Sequence, residues 1–335
     1  MGSMSAAQKQ VVIDRTGQAF GAILLLWLLL MALRDPAAFA GQTTIGLTYG
    51  ATLALIALGY TMVYGIIELI NFAHADVFMF GSMIAMQIIV TSGVTSTTGV
   101  LGKVAIIVVA LVVCMVLCAA INVAIERIAY KPLRNAPPLA PLITAIGMSF
   151  ILANLAQKIW GPSQVSIPDL LGNATIVGNV RLKDVFVIAV TVPLLYALNW
   201  FVSSTRQGKA MRATAQDQSA AAIMGIDVNR TISLTFLLGG LLAGAGGVMY
   251  ALVNTTTVWN AGFKNGLFAF TAAVLGGIGN LTGAVVGAVS IGLIYAYSSL
   301  YIGDRWVDVV IFSILVMVLV FRPTGLLGEN TVARA

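Results

Sequence analysis

Charge is what this sequence has least of: only 9% of its 335 residues are Asp, Glu, Lys or Arg, against about 25% in a soluble globular chain. Histidine occurs once, as His74, and cysteine twice, as Cys114 and Cys118. With a single histidine, no Gly-x-Ser-x-Gly and no His-Glu-x-x-His, neither a Ser-His-Asp hydrolase nor an intramembrane zinc site has its parts. "GGIGNLTG" (276–283) has the glycines of a phosphate loop, but it lacks Gly-Lys-Ser/Thr and lies between two apolar runs with no strand before it. No Walker A pattern occurs elsewhere, so ATP binding by that route is excluded. The chain is therefore not expected to be an enzyme or to bind a metal or cofactor of its own. Cys114 and Cys118 lie four apart in one apolar run without acidic or His neighbours, and read as small lipid-soluble side chains, not as a disulfide or metal site.

What the chain has instead is 59% apolar residues, arranged in runs of about 20 that recur along its whole length. These runs are continuously apolar, whereas barrel strands alternate, so the expected fold is all-α: a polytopic integral membrane protein. Candidate spans lie near 18–33, 43–66, 77–92, 104–125, 139–160, 184–202, 231–251, 266–280, 284–300 and 307–321, which makes about 8–10 transmembrane helices. The first run also has the basic start, apolar stretch and "AFA" (38–40) of a cleavable signal peptide; a retained helix is the reading adopted. The net charge of +6 is spread over short loops, which serves orientation and not nucleic-acid binding. With the N-terminus inside, eleven Lys and Arg fall on the inner side and seven on the outer, the inner ones densest in loops 126–138 and 203–230. Both termini are thus expected in the cytoplasm.

Small residues punctuate the later spans. Gly240, Gly244 and Gly247, then Gly279, Gly283 and Gly287, have the spacing that lets two helix backbones approach closely, and tight packing is their expected role. The segment 161–184, rich in Gly, Pro and Asn, is expected to be a folded outer loop. In loop 203–230, the alanines between Ala210 and Met224 favour a short helix that Gly225 would stop. Such a helix serves either as an interfacial anchor or as a coupling helix that docks into a soluble partner.

The segment "SAAAIMG" (219–225) is similar to the Glu-Ala-Ala-x-x-x-Gly signature by which import permeases of ABC transporters fit their ATPase subunits, with Ser219 in the glutamate position. In company with "TMVYGIIELINFAHADVFMFG", "IERIAYKPLRNAPPLAPLITAIGMSF", "GKAMRATAQDQSAAAIMGID", "FTAAVLGGIGNLTGAVVGA" and "RPTGLLG", in this order, it resembles the LivH-type permease family of branched-chain amino acid ABC importers. Residues 42–329 carry the resemblance, after an N-terminal extension (1–41) with one transmembrane helix and before a short tail (330–335). Two departures stand out: Ala75 where the family has Gly, and Glu68 where a small residue is usual.

The resemblance implies a bacterial inner-membrane permease subunit for branched-chain or other hydrophobic amino acids. It further implies a second, LivM-like permease subunit, two ATPase subunits that bind ATP and Mg, and an extracytoplasmic binding protein. Family members that carry urea or amides keep the substrate open. Arg212, Ser219, Ala220, Ala221 and Gly225 are the residues implied in coupling to the ATPase.

One polar stretch remains, "GIIELINFAHADVFMFG" (65–81). From Thr43 to Ser92 is 50 residues, about 75 Å as one helix, so the chain must turn back within it. Two readings stand: a wet surface turn, or a broken helix whose Asn71, His74 and Asp76, with Glu68, border the translocation path. The second draws on the cost of ionisable groups at membrane depth, about 2.5 to 3.5 kcal/mol, which they bear when they face a cavity or a partner. In an ion-driven secondary carrier or channel, the alternative to an ATP-driven importer, Glu68, His74 and Asp76 would serve as a proton relay. A non-transporting scaffold is the third reading.

Overall fold

The computed structural model describes residues 33–134, 136–137, 139–172, 174–177, 180–322 and 324–328. All but the end of the apolar run 18–33, and the tail 330–335, lie outside the described residues.

Helix α1 (Pro36–Ile67) starts where the Asp35 carboxylate accepts the Ala38 N–H at 3.0 Å and Pro36 takes the first turn, a position that needs no N–H partner. The proposed boundary between an extension and a main unit at 41/42 falls inside this continuous helix. At 32 residues α1 is about 48 Å long, more than the ~30 Å apolar thickness of a bilayer. It ends at Glu68, which adopts the left-handed conformation with φ 54°. The required turn is therefore present, but it runs over 68–73. His74 and Asp76 were placed in that turn by the sequence; they instead begin α2 (His74–Thr91).

Next come α3 (Val100–Ile125), extended by a π turn (Glu126–Tyr130) and a 3₁₀ turn (Lys131–Leu133), then α4 (Leu139–Trp160) and α5 (Leu182–Ser204). Short helices α6 (Arg206–Gln216) and α7 (Gln218–Ile223) precede α8 (Val228–Asn254), α9 (Ala261–Gly276), α10 (Leu281–Tyr301) and α11 (Asp304–Phe321). Among the described residues seven helices are long and apolar enough to cross a membrane: α1, α2, α3 with its extension, α4, α5, α8 and α10. The expected number was higher. The difference is α9, only 16 residues long, α11, which opens with Asp304, Arg305 and Asp308, and the run at 18–33. The fold is all-α, with two-residue and three-residue strands only in the loops.

Those strands order one face of the bundle. In the 161–184 segment β1 (Val165–Ser166) pairs antiparallel with β4 (Thr256–Thr257), and β2 (Thr175–Val177) pairs with β3 (Val180–Arg181). The expected folded loop is thus tied to the α8–α9 connection. On the opposite face, which carries the two basic loops, Gln218 Nε2 donates to Ile66 O at 2.9 Å. There too the chain end folds back, with Leu326 N donating to Leu275 O at 2.8 Å and Leu327 N to Gly276 O at 3.0 Å.

Helices α1, α2 and α8 form the buried centre. Glycines make that packing possible: a Cβ at Gly240 would lie 2.6 Å from Ala119 Cα, at Gly244 2.4 Å from Cys114 O, and at Gly247 2.5 Å from Ser82 N. Helix α8 therefore rests directly on the backbones of α3 and α2. Cys114 and Cys118 lie in that contact, buried and free, their thiols 3.4 Å from Gly81 O and Val77 O. Gly283 and Gly287 likewise admit α9, a Cβ at Gly287 falling 2.0 Å from Ala272 O. Gly279 is different. It has φ +95° and nothing near its missing Cβ, so it shapes the α9–α10 turn and packs no helix.

Candidate functional site

Two groups of residues singled out in the sequence lie on the basic face or just inside it. The first is the polar start of α2. The His74 ring, wholly buried, sits where a Cβ on Gly59 would lie 2.0 Å from its Nε2 and one on Gly239 3.5 Å from its Cε1. Tyr60 meets it edge-on at 5.3 Å between ring centres. A glycine on α1 and another on α8 thus make the slot for this one imidazole.

Asp76, 2% exposed, accepts from Ser149 Oγ of α4 at 2.5 Å, and a Cβ on Gly262 of α9 would stand 2.8 Å from its other oxygen. Asn71 accepts from Tyr130 OH at 3.2 Å and donates to Asn122 Oδ1 at 3.4 Å, while Asn122 Nδ2 donates to Phe236 O at 2.6 Å. These bonds tie the turn, α3, the π turn and α8 together. Glu68 alone is exposed, on the surface of the turn. The structure therefore brings Asn71, His74 and Asp76 into one buried polar layer and leaves Glu68 out of it. Ala75 fits the same layer tightly, since a Cβ on Gly266 would come 2.2 Å from its own.

The sequence reading missed a neighbour of this layer. Glu126 is wholly buried at the end of α3, where it forms an ion pair with Arg134 and accepts from Ser233 Oγ at 2.8 Å. Arg134 also donates to Asn229 Oδ1, so the pair fastens the α3 extension to the first two turns of α8. The available signal was a lone acid at the end of a long apolar run, eight residues before an arginine.

The second group is the loop between α5 and α8. A single helix over its alanine stretch was expected; Asp217 breaks it in two. Asp217 is extended at φ −160°, ψ 111°, and its carboxylate accepts the N–H groups of Ser219 and Ala220 at 2.8 and 2.9 Å, which caps α7. Helix α7 closes with Ile226 N donating to Ala221 O and Gly225 N to Ala222 O, both at 3.0 Å, with Gly225 left-handed at φ +85°. This is the Schellman arrangement in which glycine carries the least strain. Gly225 is thus the helix stop the sequence suggested.

Of the residues proposed for coupling, Ser219, Ala220 and Gly225 lie on the exposed surface of this hairpin. Ala221 faces inward, 4% exposed, and Arg212 on α6 turns back to donate to Val202 O of α5. The most prominent side chains at the tip are two that sequence reasoning did not name: Ile223 and Met224, 86% and 80% exposed. Among the described residues no group of three His, Cys, Asp or Glu side chains is placed to hold a metal.

A helical bundle with, among the described residues, seven membrane-length helices, a glycine-packed centre and a capped hairpin on its basic face defines a multi-pass membrane protein. Residues 42–319 match the family model described as "Branched-chain amino acid transport system / permease component". The chain is 40% identical over 304 residues to the high-affinity branched-chain amino acid transport system permease protein BraD of Pseudomonas aeruginosa, covering 88% of this chain and 97% of that protein. It is 39% identical over 315 residues, with the same coverage, to the proteins LivH of Salmonella typhimurium and of Escherichia coli K12. No solved structure matches. The chain belongs to the branched-chain amino acid transport permease family.

Proposed function

We propose that this chain is the membrane permease subunit of an ATP-driven importer that moves branched-chain or other hydrophobic amino acids into the cytoplasm. The observation that carries the coupling is the α6–α7 hairpin. Large apolar side chains on a water-facing tip mark an interaction surface, and Ile223 and Met224 stand at the end of a helix closed by its own hydrogen bonds. Since the sequence has no Walker A pattern, ATP and Mg belong to partner subunits, and the tip docks into them. The same reading gives the chain a second permease subunit, two ATPase subunits and an extracytoplasmic binding protein in a bacterial inner membrane. The buried Asn71 and Asp76 hold the α1–α2 turn and the start of α2 against α3, the π turn and α4.

Purified chain in liposomes, with and without the co-purifying ATPase subunits and ATP, tests this. Leucine accumulation is expected only with ATPase and ATP present. Accumulation by the chain alone, driven by a proton gradient, would overturn the importer in favour of a carrier.

Orientation follows from the basic loops: the face with α6 and α7 is cytoplasmic and the face with β1 to β4 is outside. Cysteines introduced at Gly172 and Gln216 are expected to react with an impermeant maleimide from opposite sides of the membrane. Labelling of both from outside would reverse the assignment of the hairpin.

A further inference from the structure

A groove of about 610 Å³ runs between α3 and α8. On α3 it extends from Val116 to Ile128, ~18 Å along the helix, and Leu237 and Leu241 of α8 form the other wall. Alanines make the room: Ala120 and Ala124, both exposed, line it where larger side chains would fill it. Arg127, at the end nearer the basic face, is the one charged residue among those that line it.

The exposed Arg127 has no hydrogen bond or ion pair among the described residues, whereas Arg134, Arg181 and Lys264 are all paired with acids. Its neighbour Glu126 does not neutralise it, since that carboxylate is wholly buried and held by Arg134 and Ser233. Two further exposed cations stand toward the same end. Lys131 follows four residues later, and Arg230 precedes Leu237 by seven, on the same face of α8. Depth fits a lipid as well. Lys103 reaches the outer-loop carbonyl of Ser96, and from Lys103 to Arg127 the helix rises ~36 Å, more than the ~30 Å of hydrocarbon and less than the ~40–45 Å of the whole bilayer. Arg127 therefore stands at the level of the inner headgroups, and the apolar part of the groove lies among the acyl chains.

We propose that this groove seats one acidic phospholipid of the inner leaflet, its phosphate at Arg127 and one acyl chain along the alanines between α3 and α8. Length separates a lipid from a protein occupant: ~18 Å is close to one leaflet, about half of the hydrocarbon thickness, whereas a partner helix needs a face along the whole span. Charge does so too, since a free cation beside an acid that is already paired suits a phosphodiester, and basic pockets between helices on the cytoplasmic side hold such headgroups. The lipid bridges α3 and α8 next to the Glu126–Arg134 pair and braces the two helices where that pair fastens them.

The test is native mass spectrometry of the full chain, released from detergent with phosphatidylglycerol or with phosphatidylcholine of the same acyl chains. One phosphatidylglycerol is expected to bind about tenfold more tightly than phosphatidylcholine, as two or more cations near the headgroup require. Arg127→Gln is expected to cut that preference about fivefold, the effect of one cation, and Arg127→Lys to keep it. Ala120→Trp, which fills the groove and leaves every charge in place, is expected to remove the adduct. Arg206→Gln, an exposed cation outside the groove, is expected to change nothing. Equal binding of the two lipids, or a phosphatidylglycerol adduct that survives both Arg127→Gln and Ala120→Trp, would overturn the site. Loss of a co-purifying membrane subunit in Ala120→Trp, with the lipid adduct intact, would overturn it in favour of a protein interface. Phosphatidylglycerol is also expected to raise the midpoint of thermal unfolding of the unmodified chain and not of Arg127→Gln, a surface change that leaves the packing intact; an equal rise in both counts against the proposal. None of these measurements needs uptake or ATP, so their failure is distinct from failure of the importer reading.

Discussion

Gly225→Trp is expected to reduce uptake to background and to release the ATPase subunits, while the chain still folds and inserts. At φ +85° any L side chain carries strain of about 1–2 kcal/mol, so the α7 terminus must unwind or tilt. The indole has room on this chain, because nothing lies within 4 Å of the missing Cβ. The loss therefore comes from the partner's side and from the displaced tip, not from a clash within the bundle. Gly225→Asn, which tolerates the left-handed conformation, is expected to retain most activity. Ile223→Asp is expected to match Gly225→Trp without touching the backbone, since it places a charge where an apolar contact is needed. Ser219→Ala is expected to be mild, because Asp217 and not Ser219 caps the helix. ATPase co-purification with substrate-stimulated ATP hydrolysis checks all four. Full association and full stimulation in both Gly225→Trp and Ile223→Asp would make the hairpin a membrane-surface anchor, for which an indole is no penalty.

Gly244→Leu is expected to have the largest effect on the fold. Already its Cβ would stand 2.4 Å from Cys114 O and 2.7 Å from Cys114 C, which are backbone atoms of α3 and cannot swing aside as a side chain does. Helices α3 and α8 must separate, and overpacking of this kind costs about 1–3 kcal/mol or more. The measurement is yield of monodisperse protein in detergent and its midpoint of thermal unfolding; both are expected to fall sharply, with Gly244→Ala intermediate. Gly147→Ala on α4 is the control, since Gly147 is exposed and has nothing within 4 Å. It is expected to be neutral or slightly stabilising, as alanine is the better helix former by about 1 kcal/mol. Equal tolerance at both positions would remove the close approach of α8 and α3 as the basis of the centre.

Much of the architecture was legible in the sequence because a membrane leaves the backbone few choices. A lipid-embedded segment must satisfy its own N–H and C=O groups, so each long apolar run announces a helix, and polar breaks announce the turns. The turn after α1, the ordered loop at 161–184 and the stop at Gly225 follow from that logic and from local chemistry. The four-residue spacing of Gly240, Gly244 and Gly283, Gly287 announced close packing for the same reason: only a missing side chain lets two backbones meet.

The sequence did not determine which faces turn inward, and the tertiary structure alone decided it. In a soluble protein a polar stripe marks the outward face; here lipid and core are both apolar, so α1 and α4 look alike although 78% of the apolar window of α1 is buried and only 22% of that of α4. For the same reason Glu126 could not be recognised as wholly buried until Arg134 folded back onto it, and Ala221 and Ala220, adjacent and identical, could not be told apart until α7 laid one against the bundle.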